Sequence, residues 1–313
     1  MRVLSNLLAV IAFVGSAPVS FAADVTFRVA VLPTANYLTI LRSSGLLDGP
    51  LAAVGARAQF LGPLDPINAY DAVAAGNADA TSTGTGYFVH FSAQKGSWVA
   101  FALEKYSGDS QGIVAAPGSG VESLKDLYGK KVAIGARGAT GDYLLDLAFK
   151  EAGLDVSKVE KVSLDTSSAA VAFSSGQVAA LSSYDQNLAY ALATPGAKVL
   201  VRGNQLHSYN WSIHIASREF AEKHPDVLKA VYAGLVAQSE RAHKNPSIIA
   251  KAYKDFGADD DLVNQVKTFD TPTIRPLDAK AVSDLNALGA QYVEFGFIKS
   301  TPDIANYVVD LSK

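Results

Sequence analysis

A strand, a glycine-rich turn and a helix follow one another directly between Gly129 and Gly153, and this unit constrains the fold most strongly. Residues 131–134 are predicted to form a short buried strand, and the glycines of 135–138 permit a tight turn. Thr140 lies where a helix N-cap is expected, and Gly153 lies where that helix would end. Such a turn directs free backbone N–H groups and the positive end of a helix dipole at one point, which favours a bound anion.

The turn does not match the common nucleotide-binding motifs. Its glycines stand at 135, 138 and 141, which is not the spacing of a dinucleotide fingerprint, and no Gly-Lys-Ser/Thr follows, as a P-loop requires. Glycines that serve only to reverse the chain would give the same pattern. A small anion is therefore the ligand that this stretch favours, with simple chain reversal as the alternative.

The first 22 residues are predicted to be a secretory signal peptide. Arg2 precedes an apolar run over residues 3–14, and Ser20-Phe21-Ala22 supplies small residues for cleavage after Ala22. The run is shorter than the roughly 20 residues that a spanning helix needs. We therefore expect an exported, periplasmic protein.

Composition excludes several classes of function. Without residues 1–22 the chain has 26 basic and 30 acidic residues, which does not suggest nucleic acid as a partner. Cysteine is absent, which excludes thiol nucleophiles and thiolate zinc sites, and the five histidines lack the spacing of metal ligands. No catalytic residue, metal or cofactor is therefore predicted, and a monomer is expected.

Strand patterns alternate with helix patterns along the mature chain, which predicts an α/β protein with mainly parallel sheets. The order of helix, glycine turn, short strand and new helix in segment 74–82 returns in segment 174–182. Two similar lobes would explain this repetition.

Four loops share one character, because each follows a predicted strand and precedes a predicted helix: 34–37, 82–86, 138–142 and 183–185. In open parallel sheets such loops gather at the carboxyl ends of the strands, where ligands bind. Two further residues lie on the predicted return from one lobe to the other. The candidate ligand-binding residues are Thr34, Asn36, Tyr37, Ser82, Thr83, Gly84, Thr85, Ala139, Thr140, Gly141, Asp142, Tyr184, Asp185, Asn210 and Trp211.

Four motifs resemble those of a known family. They are Gly129-Lys130-Lys131-Val132-Ala133 with its Gly-Ala-Thr-Gly turn, Val178-Ala179-Ala180 leading to Asp185, Ser217-Arg218-Glu219-Phe220-Ala221 with His224-Pro225, and Gly296-Phe297-Ile298-Lys299. In these motifs the chain resembles the solute-binding proteins of ABC importers for nitrate, taurine and alkanesulfonates, which include binders of thiamine precursors. The resemblance covers nearly all of the mature chain.

The resemblance implies a two-lobed, hinge-closing periplasmic binding protein fold of type II. The first lobe would hold residues 24–107 and 207–313, and the second residues 108–206. It also implies a cognate ABC permease in the inner membrane and a small anionic solute in the cleft, with an alkanesulfonate or taurine-like compound favoured. Nitrate or bicarbonate, an aromatic carboxylate or sulfate ester, and a pyrimidine precursor remain alternatives.

The chain departs from the family at Tyr184-Asp185-Gln186, where relatives often carry Trp-Asp-Pro. A carboxylate at Asp185 would repel an anion unless the ligand also carries a cation, as an amino sulfonate does. Capping of a helix by Asp185 is the alternative. Enzymes on this fold, such as pyrimidine synthases, use cysteine-bearing motifs that this chain lacks, so a binding protein is favoured over an enzyme, and a sensory role remains open.

Overall fold

In the computed structural model, residues 25–312 are described. The signal peptide predicted for residues 1–22 lies outside this range. Within it, no helix is both long enough and apolar enough to cross a membrane.

The first of two sheets has six strands. They are β1 (Val25–Ala30), β2 (Ala56–Leu61), β3 (Ala80–Gly84), β4 (Trp98–Lys105), β10 (Ser212–Ser217) and β11 (Thr273–Arg275), in the spatial order β11-β4-β10-β3-β1-β2. β1 runs parallel to β2 and β3, whereas β10 runs antiparallel to β3 and β4, and β11 runs antiparallel to β4. Four strands therefore share one direction, as the prediction of a mainly parallel sheet requires.

The second sheet has five strands. They are β5 (Gln111–Ala115), β6 (Lys131–Ala133), β7 (Glu160–Val162), β8 (Ala180–Tyr184) and β9 (Lys198–Arg202), in the order β7-β6-β8-β5-β9. β6 pairs in parallel with β7 and β8, and only β5 is reversed. The strands of this sheet all come from residues 111–202, between the two parts of the chain that build the first sheet. The exact lobe boundaries expected from the resemblance stay a prediction.

Twelve α-helices occur among the described residues. They are α1 (Tyr37–Ile40), α2 (Asp48–Ala53), α3 (Pro66–Ala74), α4 (Thr85–Ala93), α5 (Thr140–Glu151), α6 (Thr166–Ser174), α7 (Asp185–Ala193), α8 (Arg218–Lys223), α9 (Pro225–Lys244), α10 (Ser247–Asp255), α11 (Asp260–Val266) and α12 (Ala279–Glu294).

The central strands of each sheet are buried on both faces, which explains their apolar runs. Along β1, Phe27 and Val29 belong to one hydrophobic cluster, while Ala30 belongs to the cluster on the other face. In β5, Ile113 and Val114 divide in the same way between two clusters. Helices therefore cover both faces of both sheets, which is the architecture that the alternating pattern predicts.

The unit around the glycine-rich turn folds largely as predicted, with one correction. Gly135 and Gly138 have positive φ angles, and Gly153 follows the end of α5 in the left-handed conformation. The N-cap of α5 is Ala139 rather than Thr140, which is the first helical residue, so that detail of the prediction was wrong. The extended backbone conformation of an N-cap belongs to Ala139, and the hydroxyl group of Thr140 accepts a hydrogen bond from elsewhere in the chain, as described below.

Two other predictions of secondary structure were wrong. Residues 82–84, predicted as loop, complete β3, because they pair with β10. Residues 183–184, also predicted as loop, complete β8, because they pair with β5. Near the end of the chain, Ile304–Tyr307 form a 3₁₀ turn. After it the chain is extended, and Val309 N–H donates to the carbonyl of Ala100 at 2.8 Å, so pairing with β4 replaces helical bonds.

Two connections join the sheets, residues 106–110 and 203–211, and they touch one another. A Cβ atom on Gly203 would lie 2.6 Å from the carbonyl oxygen of Gly108. Only glycine at position 203 permits this approach, because such a separation is far below van der Waals contact. The side-by-side crossing is where a hinge of a two-lobed protein would lie.

Candidate functional site

A cavity of about 300 Å³ lies between the two sheets and is closed on a third side by α10, α11 and the segment that follows them. Its size is at the lower end of the range for small-molecule sites. It is lined by Thr34, Ala35, Asn36, Glu104, Tyr106, Ser110, Asp185, Ser212, Pro246, Ser247, Ile249, Ala250, Tyr253, Val266, Lys267, Phe269, Asp270, Thr271 and Pro272. Three of the residues predicted from sequence, Thr34, Asn36 and Asp185, therefore line one cavity.

Asn36 fixes the loop that follows β1. Its side-chain oxygen accepts a hydrogen bond from Thr39 N–H at 3.0 Å, which makes Asn36 the N-cap of α1. Its amide nitrogen donates to Thr34 Oγ1 at 2.8 Å. The Thr34 hydroxyl proton remains available for a solute, because Thr34 Oγ1 acts as the acceptor in this bond.

Glu104, on β4, places a buried carboxylate at the start of α1. Tyr37 N–H donates to Glu104 Oε2 at 2.9 Å, and His214 Nε2 lies 3.1 Å from the same oxygen. The N-terminus of α1 therefore already holds an anion that belongs to the protein. Sequence reasoning missed Glu104, since a single glutamate inside an apolar strand does not reveal where its side chain ends.

Ser82 belongs to the same polar network but not to the cavity wall. Its Oγ lies 2.9 Å from Asn36 Oδ1 and 2.8 Å from His214 Nδ1. Both Ser82 and His214 are fully buried. The order of serine, histidine and glutamate resembles a hydrolytic triad, but a serine without access to the cavity cannot attack a substrate. The network instead fixes Glu104 and Asn36 at the wall.

Asp185, the first residue of α7 directly after β8, lines the cavity on the side of the second sheet. It has a φ angle of +45°, and its N–H donates to Ser110 O at 2.7 Å. The N-cap of α7 is Tyr184, so the alternative in which Asp185 caps this helix was wrong. Water in the cavity reaches part of the residue, but protein surrounds its carboxyl group. This desolvation, against a lowering by a hydrogen bond with Ser110 and with smaller contributions from the charges of Glu104 and Asp109, raises the pKa of Asp185 to about 7.

The helical wall adds residues that sequence reasoning missed. Tyr253, Lys267, Phe269 and Asp270 line the cavity from α10 and the segment after α11. Asp270 N–H donates to Asp109 Oδ2 at 2.8 Å. Burial, followed by the neighbouring carboxyl group of Asp270, raises the pKa of Asp109 to about 6. No sequence motif identified these positions, because they reach the cavity only when a segment distant in sequence folds back against it.

A second group of predicted residues lies together outside the cavity, where α4 and α5 begin. Asn210 Nδ2 donates to Thr140 Oγ1 at 2.9 Å, and Trp211 N–H donates to Thr85 Oγ1 at 3.0 Å. Gly84 adjoins them, since a Cβ atom there would be 3.6 Å from Thr140 Oγ1. These polar groups hydrogen-bond to one another, and they link α5 to the connection formed by residues 203–211. Contact of this group with a solute stays a prediction.

The start of α5, which the sequence marked as an anion site, also holds a carboxylate of the chain. Asp142 Oδ2 accepts from Gly138 N–H at 2.9 Å, and Asp142 Oδ1 accepts from Lys161 Nζ at 2.7 Å. Tyr292 packs over the turn and donates its hydroxyl hydrogen to Gly138 O at 2.8 Å. The predicted anion site at the start of α5 is thus occupied by a buried acidic side chain, as is the start of α1.

The remaining candidate ligand-binding residues make contacts of their own within the protein. Thr83 Oγ1 donates to the Tyr70 hydroxyl at 2.8 Å, and the Tyr37 hydroxyl donates to Pro272 O at 2.7 Å. Gly141 permits close packing, since a Cβ atom there would lie 2.2 Å from Ser182 O. The described residues contain no group of three or more His, Cys, Asp or Glu side chains placed to hold a metal.

Comparison with known proteins identifies the family. A family model described as NMT1/THI5 like matches residues 54–249. The chain belongs to the NMT1/THI5-like family. A putative aliphatic sulfonates-binding protein of Escherichia coli (strain K12) is 27% identical over 215 residues, which are 68% of this chain and 67% of that protein. This chain thus matches about two thirds of that relative.

Solved structures confirm the fold. The alkanesulfonate-binding protein of Xanthomonas axonopodis pv. citri, bound to MOPS, superposes with a TM-score of 0.80 at 18% identity, covering 91% of this chain and 98% of that one. A mutant of the desulfurization enzyme DSZB in complex with biphenyl-2-sulfinic acid gives 0.66 at 17% identity, covering 91% and 96%. The fold of the NMT1/THI5-like chain is that of the periplasmic binding proteins, as the resemblance implied.

Proposed function

We propose that this protein is the extracytoplasmic solute-binding component of an ABC importer and that it binds a small organosulfur solute of the alkanesulfonate or taurine type. The observation that carries the proposal is the cavity, whose wall is built from the ends of both sheets and from α10. A solute there would bridge the two lobes and would stabilise the closed form by its higher affinity for it.

The solute class is supported by the relatives, two of which are named for sulfonate binding. Within the cavity, the hydroxyl groups of Thr34, Ser110 and Ser212 and the ammonium group of Lys267 are the donors suited to sulfonate oxygens. Delivery to a membrane permease and a periplasmic location belong to the same proposal.

A non-catalytic role fits this site better than an enzymatic one. The desulfurization enzyme shares the fold, but its complex was obtained with a cysteine-to-serine mutant, and this chain has no cysteine. The one arrangement that resembles catalytic machinery, Ser82 with His214 and Glu104, has its serine sealed from the cavity.

A thermal-shift screen of the mature protein tests the proposal. The panel holds alkanesulfonates, aminoalkanesulfonates, sulfate esters, nitrate, bicarbonate, aromatic carboxylates and pyrimidine precursors. A solute at 100 times its Kd stabilises the folded state by about 2.7 kcal/mol, which raises Tm by several degrees. A shift confined to sulfonates supports the proposed class, whereas a shift with another class alone, or with none, refutes it.

A further inference from the structure

The charges of the cavity do not match a purely anionic solute. Three carboxyl groups line it, those of Glu104, Asp185 and Asp270, whereas Lys267 is the one cationic side chain among the lining residues that the structure describes. An anion placed beside uncompensated carboxylates is repelled, and this repulsion is strong in a site that excludes water.

Two of the carboxyl groups, those of Glu104 and Asp185, can accept a further hydrogen bond or ion pair from a molecule in the cavity. Glu104 is 2% exposed, and its Oε2 is held by Tyr37 N–H and lies against His214, while Oε1 has no hydrogen-bond partner among the described residues. Asp185 forms no ion pair with any Lys, Arg or His of the described chain. A buried carboxylate without a cationic partner is costly, and a cation supplied by a ligand would remove that cost.

Two aromatic rings complete this part of the wall. Tyr106 and Tyr253 both line the cavity. Burial, followed by the charge of Asp185, raises the pKa of each phenol well above its usual range, and Glu104 acts on both in the same direction. The two phenols and the two carboxyl groups therefore form one electrostatic cluster, and the rings stay neutral. Aromatic faces beside carboxylates are the surroundings that organic ammonium groups prefer.

We propose that the solute carries a protonated amine, which binds at the Asp185 and Glu104 carboxylates beside the Tyr106 and Tyr253 rings. This inference rests on the proposed function and narrows its solute class to aminoalkanesulfonates, with the sulfonate directed to the hydroxyl groups and Lys267. Because Asp185 comes from the second sheet and Glu104 from the first, the ammonium group would connect the two lobes on closure.

Calorimetry with matched solutes tests the proposal. The pairs are 2-aminoethanesulfonate against ethanesulfonate and 3-aminopropanesulfonate against propanesulfonate, titrated into wild type, Asp185→Asn and the control Asp165→Asn. Asparagine is isosteric with aspartate and tolerates the positive φ angle at position 185, so the variant is expected to fold. Asp165 is an N-cap residue that does not line the cavity, and asparagine caps helices equally well.

We expect wild type and Asp165→Asn to bind the amino member of each pair at least 10-fold more tightly, and Asp185→Asn to lose at least 10-fold of that preference. Equal affinities within the pairs, or an unchanged preference in Asp185→Asn, would overturn the inference while leaving the sulfonate class intact. If no sulfonate binds, propylamine and choline are titrated instead. Binding of these cations that Asp185→Asn abolishes would retain the amine site and refute the sulfonate class, and absence of all binding would overturn both.

Discussion

Replacement of Asp185 by asparagine is expected to stabilise the protein without solute, although it alters the proposed site. The pKa of Asp185 is about 7 in the folded protein against an ordinary value of 3.8. The folded state therefore holds this proton more tightly than the unfolded state does, and stability falls as pH rises from about 4 to about 7. Above pH 7 the folded protein carries the full cost of the buried charge, which Asp185→Asn removes.

The size of the effect follows from the same shift. About three pKa units correspond to at most ~4 kcal/mol, at 1.36 kcal/mol per unit. Water in the cavity reaches part of Asp185, so we expect roughly half of this value, ~2 kcal/mol, and a rise in Tm of about 4 °C at pH 8. Near pH 4 the carboxyl group is protonated in the folded state and about half protonated in the unfolded state, so most of the difference in Tm between the two proteins is expected to have disappeared.

Thermal unfolding followed by circular dichroism at pH 4, 6 and 8 measures this difference directly. The control is Asp165→Asn, since hydrogen bonds from Ser168 N–H and from the hydroxyls of Ser167 and Ser168 lower the pKa of Asp165 to about 2. Loss of that charge is not expected to raise Tm at pH 8. Equal Tm values for Asp185→Asn and wild type at pH 8, or the same difference at pH 4 and pH 8, would refute the account of a desolvated carboxyl group.

Three further substitutions test the packing and the polar network, each by chemical denaturation. Gly141→Ala should prevent stable folding, because its Cβ would lie 2.2 Å from a backbone carbonyl oxygen. The control Gly49→Ala, with open space around it in α2, should be neutral or slightly stabilising. Equal stabilities of the two variants would contradict the close approach at Gly141. Glu104→Ala should cost about 1–3 kcal/mol, because it leaves a buried N–H at the start of α1 unpaired, and a cost below ~0.5 kcal/mol would count against that network. Thr140→Val should cost about 1 kcal/mol through the lost bond from Asn210, and unchanged stability would contradict that role; a tenfold loss of solute affinity would support the predicted contact of Thr140 with the solute, whereas unchanged affinity would refute it.

The sequence predicted the architecture well where local signals agree with the tertiary structure. The strand, glycine turn and helix around residues 131–153 combine apolar runs with glycines that adopt positive φ angles, so position and conformation are both encoded locally. Asn36 and Asp185 were recognisable because each follows a strand that points to the cleft.

The remainder of the site depends on contacts between distant segments. Glu104 reaches the start of α1 from β4, and Tyr253 and Lys267 arrive from helices that follow the second sheet by more than 40 residues. The helix start at α5 was predicted to hold a solute anion, but the Asp142 carboxylate accepts hydrogen bonds there, as the Glu104 carboxylate does at the start of α1. Free backbone donors can be read from a local pattern, whereas the side chain that satisfies them cannot.

The central claim, that a solute binds in the cavity between the two sheets, is tested most directly by calorimetric titration of a cavity-filling variant. Thr34→Trp places an indole in the cavity wall, and Ser167→Trp adds the same side chain to an exposed position on α6 as the matched control. With the solute that gives the largest thermal shift, we predict one-to-one binding to wild type and to Ser167→Trp, and none to a folded Thr34→Trp. Undiminished binding to Thr34→Trp, or absence of binding to wild type by every solute of the panel, would contradict the claim.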